Sequence, residues 1–344
     1  MINIGIIGGG LISERHCKVI SDNSDCDIVS MLSLGSAKSK ALADAFNCTF
    51  FIDSDAFFNR ELDGVIIASP NHTHVEYLKK CVDLKLPVLV EKPVFNKSDD
   101  DISLKYNLND NDNDFIKTKI LIGHHRHHFK KFELLKEILN NGQLGEITSF
   151  QGSAIFYKPE HYFATSPWRT TVGVGGPILI NFIHEIGLLR ELFGEVHSIK
   201  CIRKNSTRQN EVEDTIAMIL DFEQGVLGTF MVSDCGASPW SWELTSGENS
   251  FYPNHSEDCY RITGTKGSIA YPSMKTYIYE GAQDWWQPMK VGEIYCENND
   301  PFAAQLINFI NVINGDALPL VSYQDGLKNL QLVEEIINEK LLTN

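Results

Sequence analysis

The sequence predicts an α/β domain with a parallel, doubly wound sheet, followed by an α+β domain with a large, mostly antiparallel sheet that carries helices on one side. Three observations support this. Short aliphatic runs alternate with helix-period segments over the first 123 residues, the mark of βαβ units whose sheet is covered on both faces. Longer strand-like runs separated by glycine-containing turns then follow, as antiparallel hairpins require. The length of 344 residues also suits two domains of about 150 residues each. The boundary is placed between residues 123 and 124, with the C-terminal helices expected to pack back.

Each element has its own signal. Ile2–Ile7 is an aliphatic run that meets Gly8-Gly9-Gly10 and a helical stretch to Ile20. Asp27–Ser33 is a second strand, and Ser36–Phe46 carries Ala41, Leu42, Ala45 and Phe46 at helical spacing. Leu62–Ala68, Pro87–Val90 and Lys119–Ile122 read as further strands, and His72–Leu84 as a helix. The polar run Asn107–Asp114 buries no apolar area and reads as a solvated loop. Its acids lack the glycine and distal glutamate of a calcium loop, so no metal is expected there.

In the second part, Lys130–Leu139 reads as a helix. Strands are expected at Ile147–Tyr157, Val196–Lys204, Thr215–Phe222, Val226–Val232, Tyr260–Thr263, Ser268–Tyr271 and Thr276–Tyr279. One helix, Ile178–Phe193, interrupts them. Two apolar stripes close the chain: Phe302, Leu306, Phe309, Ile310 and Ile313, then Leu330, Val333, Ile337 and Leu341.

Composition narrows the function. Lys plus Arg number 30 against 45 Asp plus Glu, a formal charge of −15 that disfavours nucleic acid and anionic lipid as partners. No run approaches the roughly 20 apolar residues that span a bilayer, and the first residues read as a strand, not a signal peptide. The eight cysteines are scattered without a Cys-x-x-Cys pair, which points to reduced thiols and a cytoplasmic location.

The chemistry starts at Gly8-Gly9-Gly10-Leu11-Ile12-Ser13, where a strand meets a helix. In a dinucleotide fingerprint the first glycine makes the tight turn and the second admits a pyrophosphate to the backbone, which meets the free N–H groups of the helix. Ser13 stands where the third glycine is usual. The second strand ends without the Asp or Glu that accepts the ribose diol of NAD. Instead, Ser33, Ser36 and Lys38 are candidates for a 2′-phosphate, so NADP is favoured over NAD. The alternative is that Lys38 and Lys40 are only the solvated face of the next helix.

Three further stretches complete a pattern: Asp63-Gly-Val-Ile-Ile-Ala-Ser69-Pro70-Asn71-His72-Thr-His74, then Val90-Glu91-Lys92-Pro93, then Gly176-Pro-Ile-Leu-Ile-Asn181-Phe-Ile-His184. With the N-terminal glycines they resemble the glucose–fructose oxidoreductase / inositol dehydrogenase / MocA (Gfo/Idh/MocA) family. The resemblance spans nearly the whole chain, including the turns around Gly228 and Gly264–Gly267. It implies an NAD(P)-binding α/β Rossmann domain over 1–123, an α+β substrate and oligomerisation domain with an open-faced sheet over 124–344, and substrate in the cleft between them. A homodimer or homotetramer is expected, because open sheet faces of this kind usually pair.

Lys92 matches the family's catalytic lysine and His184 the histidine of its Asp-x-x-x-His motif. The acid of that motif falls on Ile180, next to Asn181, and a second acid three residues after the histidine is replaced by Gly187. Removing hydride from an alcohol carbon requires the hydroxyl proton to leave, a task for a base of tuned pKa. Lys92, lowered by burial and by an oxidised nicotinamide, suits it, with His184 as its partner and Asn181 positioning substrate hydroxyls. Ser69, Pro70, Asn71, His74, Glu91 and Arg126 are read as cofactor-facing, and Trp168 and Arg169 as substrate-facing. The run His124–His128 lacks a carboxylate or thiol at ligand distance, so it is not read as a metal site. The expected activity is NAD(P)-dependent oxidation or reduction of a sugar, inositol or related polyhydroxy compound. A catalytically silent NAD(P)-binding sensor on the same fold, favoured by Ser13, Ile180 and Gly187, is the alternative. An imine or non-sugar carbonyl reductase is a third reading.

Overall fold

The computed structural model describes residues 1–339 and the backbone of 341 and 342. It divides into two units: residues 1–128 with 301–331, and residues 129–300 with 332–344. The first unit therefore extends to His128 and takes in the helix Pro301–Asn314, which the sequence reading had counted within 124–344.

The first unit holds six parallel strands, β1 (Ile2–Ile7), β2 (Cys26–Leu32), β3 (Thr49–Phe51), β4 (Gly64–Ile67), β5 (Val88–Glu91) and β6 (Ile120–Gly123). Their order is β3-β2-β1-β4-β5-β6, so the chain reverses its direction of winding between β1 and β4. Helices α1 (Leu11–Ser21), α2 (Ala37–Ala45), α3 (Ser54–Phe58) and α4 (His74–Leu84) connect the first five strands. Strands β1, β4, β5 and β6 are almost wholly buried, which explains their continuous aliphatic character. Their core includes Ile4, Ile6, Ile28, Ile66, Leu89 and Leu121, joined by Leu306, Phe309 and Ile310 of the C-terminal helix.

Two sequence expectations change here. Strand β3 is only three residues long, too short for a periodic signal. The polar run is not a loop throughout, because Asp110–Lys119 is a helix. Asn109 accepts from the Asp112 N–H while Asp112 accepts from the Asn109 N–H, a capping box that satisfies two end groups. The acids sit in the first turn, where the helix dipole favours them, and Phe115 and Ile116 supply the buried contact.

The second unit is built on nine strands: β7 (Ile147–Ile155), β8 (Val196–Lys204), β9 (Thr215–Phe222), β10 (Leu227–Ser233), β11 (Tyr260–Gly264), β12 (Gly267–Tyr271), β13 (Lys275–Ile278), β14 (Lys290–Glu293) and β15 (Leu341–Leu342). The order is β14-β13-β12-β11-β7-β10-β9-β8-β15. All pairs are antiparallel except β10 with β7 and β15 with β8. The Leu341 expected in a helical stripe falls in β15, and its side chain lies outside the described residues. One sheet face carries an aromatic core in which Phe150 stacks on Phe193 at 4.8 Å and Phe182 meets Phe230 at 5.1 Å. Gly228 makes this possible: a Cβ there would lie 1.7 Å from the Phe150 ring, its partner across the β10–β7 ladder. The opposite face leaves Ile202, Ile219, Leu227 and Met231 exposed. Among the described residues no helix is long and apolar enough to cross a membrane.

Candidate active site

The first unit supplies a built N-terminus at α1. Gly8 has φ +120°, and a Cβ there would sit 2.4 Å from the Ala68 carbonyl oxygen after β4, so the turn from β1 into α1 closes only on glycine. A Cβ on Gly9 would strike Ser39. Gly10 differs, because nothing lies within 4 Å of its Cβ position. It caps α1 without a side-chain bond, so the first amides face open space beside exposed Leu11 and Ile12. Ser13, in the third-glycine position, is fully buried and its Oγ has no hydrogen-bond partner. An uncapped helix end that a Cβ would not crowd fits a pyrophosphate. Gly8→Ala is therefore expected to cost about 1–3 kcal/mol from backbone strain alone. Gly10→Ala should leave the melting temperature nearly unchanged while weakening dinucleotide binding, a contrast that melts and fluorescence titrations of both variants would read.

At the end of β2, three serines form a hydroxyl cluster. Ser39 Oγ lies 3.0 Å from Ser33 Oγ and 2.7 Å from Ser36 Oγ, and Ser36 caps α2 by accepting from the Ser39 N–H. Lys38 is exposed, whereas Lys40 is paired with Asp44 along the helix. After β4, Ser69 Oγ and Thr73 Oγ1 are bonded at 2.6 Å, and Thr73 Oγ1 donates to the Pro70 carbonyl. Asn71 is half-buried in the turn that leads into α4.

His74 begins α4. Its side chain is fully buried, with Nε2 2.9 Å from the Ser69 carbonyl and Nδ1 3.2 Å from those of Pro93 and Val94. Burial pushes its pKa down in spite of these carbonyls. It ties the segment after β4 to the segment after β5.

Lys92 is half-buried at the carboxyl end of β5. Glu91 beside it is buried, and His16 Nε2 of α1 donates to its Oε1 at 2.7 Å. Burial by itself would raise the Glu91 carboxyl. The His16 hydrogen bond and the charges of His16, His125 and Lys92 outweigh that and hold it below its usual value. Glu91 thus anchors the strand end to α1, and Gly123 on β6 is required, because a Cβ there would come within 3.0 Å of it. The histidine run forms a single tight turn, His125–His128, after β6, in which Arg126 is buried. His125 stacks on Phe302 at 4.3 Å. His124 is pushed well below its usual pKa by burial, with His127 and Lys92 adding to the effect.

In the second unit His184 is buried in a helix whose α-helical part is Ile183–Phe193. The sequence reading drew one helix from Ile178, but Ile178–Phe182 is a π-helical turn in which the Ile183 N–H reaches the Ile178 carbonyl. Such turns are rare and concentrate at functional sites. Asn181 lies in it. Its Nδ2 donates to Glu243 Oε1 at 3.1 Å and its Oδ1 accepts from Lys158 Nζ at 2.5 Å. Trp168 is about half exposed and Arg169 half-buried in the turn Pro167–Thr170. The Arg169 guanidinium lies 3.7 Å over the Tyr162 ring and donates to the Tyr162 carbonyl. Trp242 is fully buried in the core. Sequence reasoning gave no role to Lys158 or to Glu243, which closes the motif Pro239-Trp240-Ser-Trp242-Glu243. The only local hint was a lysine set among Phe156, Tyr157 and Tyr162.

A six-stranded parallel sheet in this order, with a glycine turn after β1 and a polar turn after β4, defines a dinucleotide-binding Rossmann unit. Residues 2–112 match the oxidoreductase family with an NAD-binding Rossmann fold, and residues 132–270 match the GFO/IDH/MocA C-terminal domain. The chain belongs to the Gfo/Idh/MocA family of oxidoreductases. It is 22% identical over 349 residues to inositol 2-dehydrogenase of Rhizobium meliloti, covering 98% of this chain and 96% of that one. It is 20% identical to glucose-6-phosphate 3-dehydrogenase of Bacillus subtilis, over 97% and 95% of the two chains. Among solved structures, a dehydrogenase from Bordetella pertussis in complex with NADH and UDP-GlcNAcA has a TM-score of 0.75 at 21% identity, with 96% of this chain and 94% of that one covered. An oxidoreductase from Agrobacterium radiobacter in complex with NAD+, L-tartaric acid and magnesium has a TM-score of 0.77 at 18% identity, over 97% and 94%.

Proposed function

We propose that the chain transfers hydride between NADP, or NAD, and a sugar, inositol or related polyhydroxy compound. The observation that carries this reading is the switch between β1 and β4, where ligands of such sheets bind at the carboxyl ends of the strands. There Gly8, Gly9 and Gly10 close the turn and leave the first amides of α1 open. Leu11, Ile12, Ser69, Pro70 and Asn71 would border the dinucleotide, with Glu91, Lys92 and Arg126 towards its nicotinamide end. The bound dinucleotide supplies the hydride acceptor or donor. Lys92 takes the substrate hydroxyl proton in oxidation and returns it in reduction, and His184 is the second proton-handling group. Trp168, Arg169 and Asn181 contact the polyol. The relatives that act on inositol and glucose 6-phosphate support a cyclic polyol or sugar as the substrate class.

Ser33, Ser36 and Lys38 favour NADP, since hydroxyls and an exposed ammonium at the end of β2 suit a 2′-phosphate and no carboxylate stands there to repel it. The exposed apolar face of Ile202, Ile219, Leu227 and Met231 supports a second copy of the chain as its cover. The eight scattered cysteines, without a Cys-x-x-Cys pair, support cytoplasmic residence. Fluorescence titration with NADPH and separately with NADH tests the reading. Tighter binding of NADPH supports the 2′-phosphate assignment. The reverse order makes Ser33, Ser36 and Lys38 bystanders. Binding of neither overturns the oxidoreductase reading in this chain.

A further inference from the structure

One buried cation of the second unit has no part in the reaction as described. Lys158 follows β7 and is only 5% exposed. Its backbone is clamped: the N–H donates to the Asp234 carbonyl at 2.8 Å, and the carbonyl accepts from Arg208 Nη2 at 2.6 Å. Its ammonium lies 5.5 Å over the Phe156 ring and 5.2 Å over the Tyr162 ring, and it donates to Asn181 Oδ1. Asp234 and Glu243 face it as counter-charges, and Arg169 and Arg208 oppose it. Burial is the largest influence and brings its pKa down to about 8.

The donors and acceptors in this chain dictate an orientation. An ammonium has only donors, so it must meet the oxygen end of the Asn181 amide. A carboxylate has only acceptors, so Glu243 must meet the nitrogen end. Each end of the amide then keeps one unused capacity, a lone pair on Oδ1 and a proton on Nδ2. That pair matches a hydroxyl, which both donates and accepts. Asn181 sits half-buried in the π-helical turn, three residues before His184.

We propose that Lys158 is a positioning residue that holds the Asn181 amide in one orientation and thereby sets which substrate hydroxyls the second unit accepts. This role rests on the oxidoreductase reading above. Once Lys158 loses its proton it carries a lone pair and tolerates either end of the amide, which leaves Glu243 as the one neighbour that selects its orientation, so the hold on the amide loosens as the pH rises through the titration of Lys158. Arginine, which stays charged, keeps the oxygen end in place.

The test follows the Asn181 side-chain amide by 15N NMR of the full chain from pH 6.5 to 9.5, with the signal assigned by its loss in Asn181→Asp. In the unsubstituted chain it should shift with a midpoint near 8. In Lys158→Arg that titration should vanish while the low-pH signal is kept, and in Lys158→Met the signal should be displaced at every pH. In parallel, oxidation of myo-inositol and glucose 6-phosphate is measured. Lys158→Met should raise KM by about tenfold or more, with a smaller fall in kcat. Lys158→Arg should restore KM and extend activity to higher pH. An Asn181 signal that titrates equally in Lys158→Arg, or that ignores Lys158→Met, overturns the proposal, and if the methionine variant does not fold the arginine comparison decides alone. Absence of turnover in the unsubstituted chain counts against the oxidoreductase reading, while the NMR result still decides whether Lys158 orders Asn181.

Discussion

Lys92→Met should lower turnover by about 10²-fold or more while dinucleotide binding persists. Methionine keeps the apolar stem of the lysine and removes the only part that can carry a proton. Lys92 is half-buried at the carboxyl end of β5, directly after a glutamate held by His16, so its backbone is fixed independently of its own side chain. The loss should therefore fall on kcat with the fold intact. Steady-state rates with the polyhydroxy substrate, set beside an NADPH titration of the same variant, make the comparison. An unchanged rate with cofactor bound removes Lys92 from proton transfer.

His16→Ala should destabilise the first unit by about 3 kcal/mol near neutral pH. The substitution strands a buried carboxylate: Glu91 is 8% exposed, and His16 provides its hydrogen bond at 2.7 Å. The sign with pH follows from the depressed carboxyl of Glu91. Such a group contributes stability above its unfolded value, near 4.3, and that contribution is lost as the pH falls through its folded value. The penalty for His16→Ala should accordingly be largest at neutral pH and shrink only as the pH falls below the unfolded value, towards the lowered folded value at which Glu91 takes up a proton. Adding Glu91→Leu should recover part of the loss, because the two residues form one interaction. Urea denaturation of the single and double variants at two pH values measures both statements, and equal penalties at the two pH values would show that the pair is not the cause.

Local pattern carried much of the fold. An aliphatic run of six residues ending in three glycines is enough to place β1, the turn and α1, because a buried parallel strand has no polar alternation and glycine alone permits φ +120° at residue 8. Seven strands of the second sheet were legible from their length and their glycine turns, to within a residue or two, whereas β14 and β15 were not. Lys92 and His184 came from the resemblance rather than from periodicity. Where local pattern misled, a specific contact had overridden it. Polar Asn107–Asp114 contains a helix start because Asn109 and Asp112 cap each other.

The sequence was sufficient for the two-sheet architecture and the glycine turn after β1, since each depends on residues close together in the chain. It was not sufficient to show that Glu91 is held by a histidine 75 residues away, or that Asn181 is gripped by Lys158 on one side and, 62 residues on, by Glu243 on the other. Burial of a charged group depends on which distant segments converge on it, and the desolvation that shifts its pKa arises only when they do. Lys158 has the same residue type as the exposed Lys38. Folding alone brings Asp234, Glu243, Arg169 and Arg208 around it.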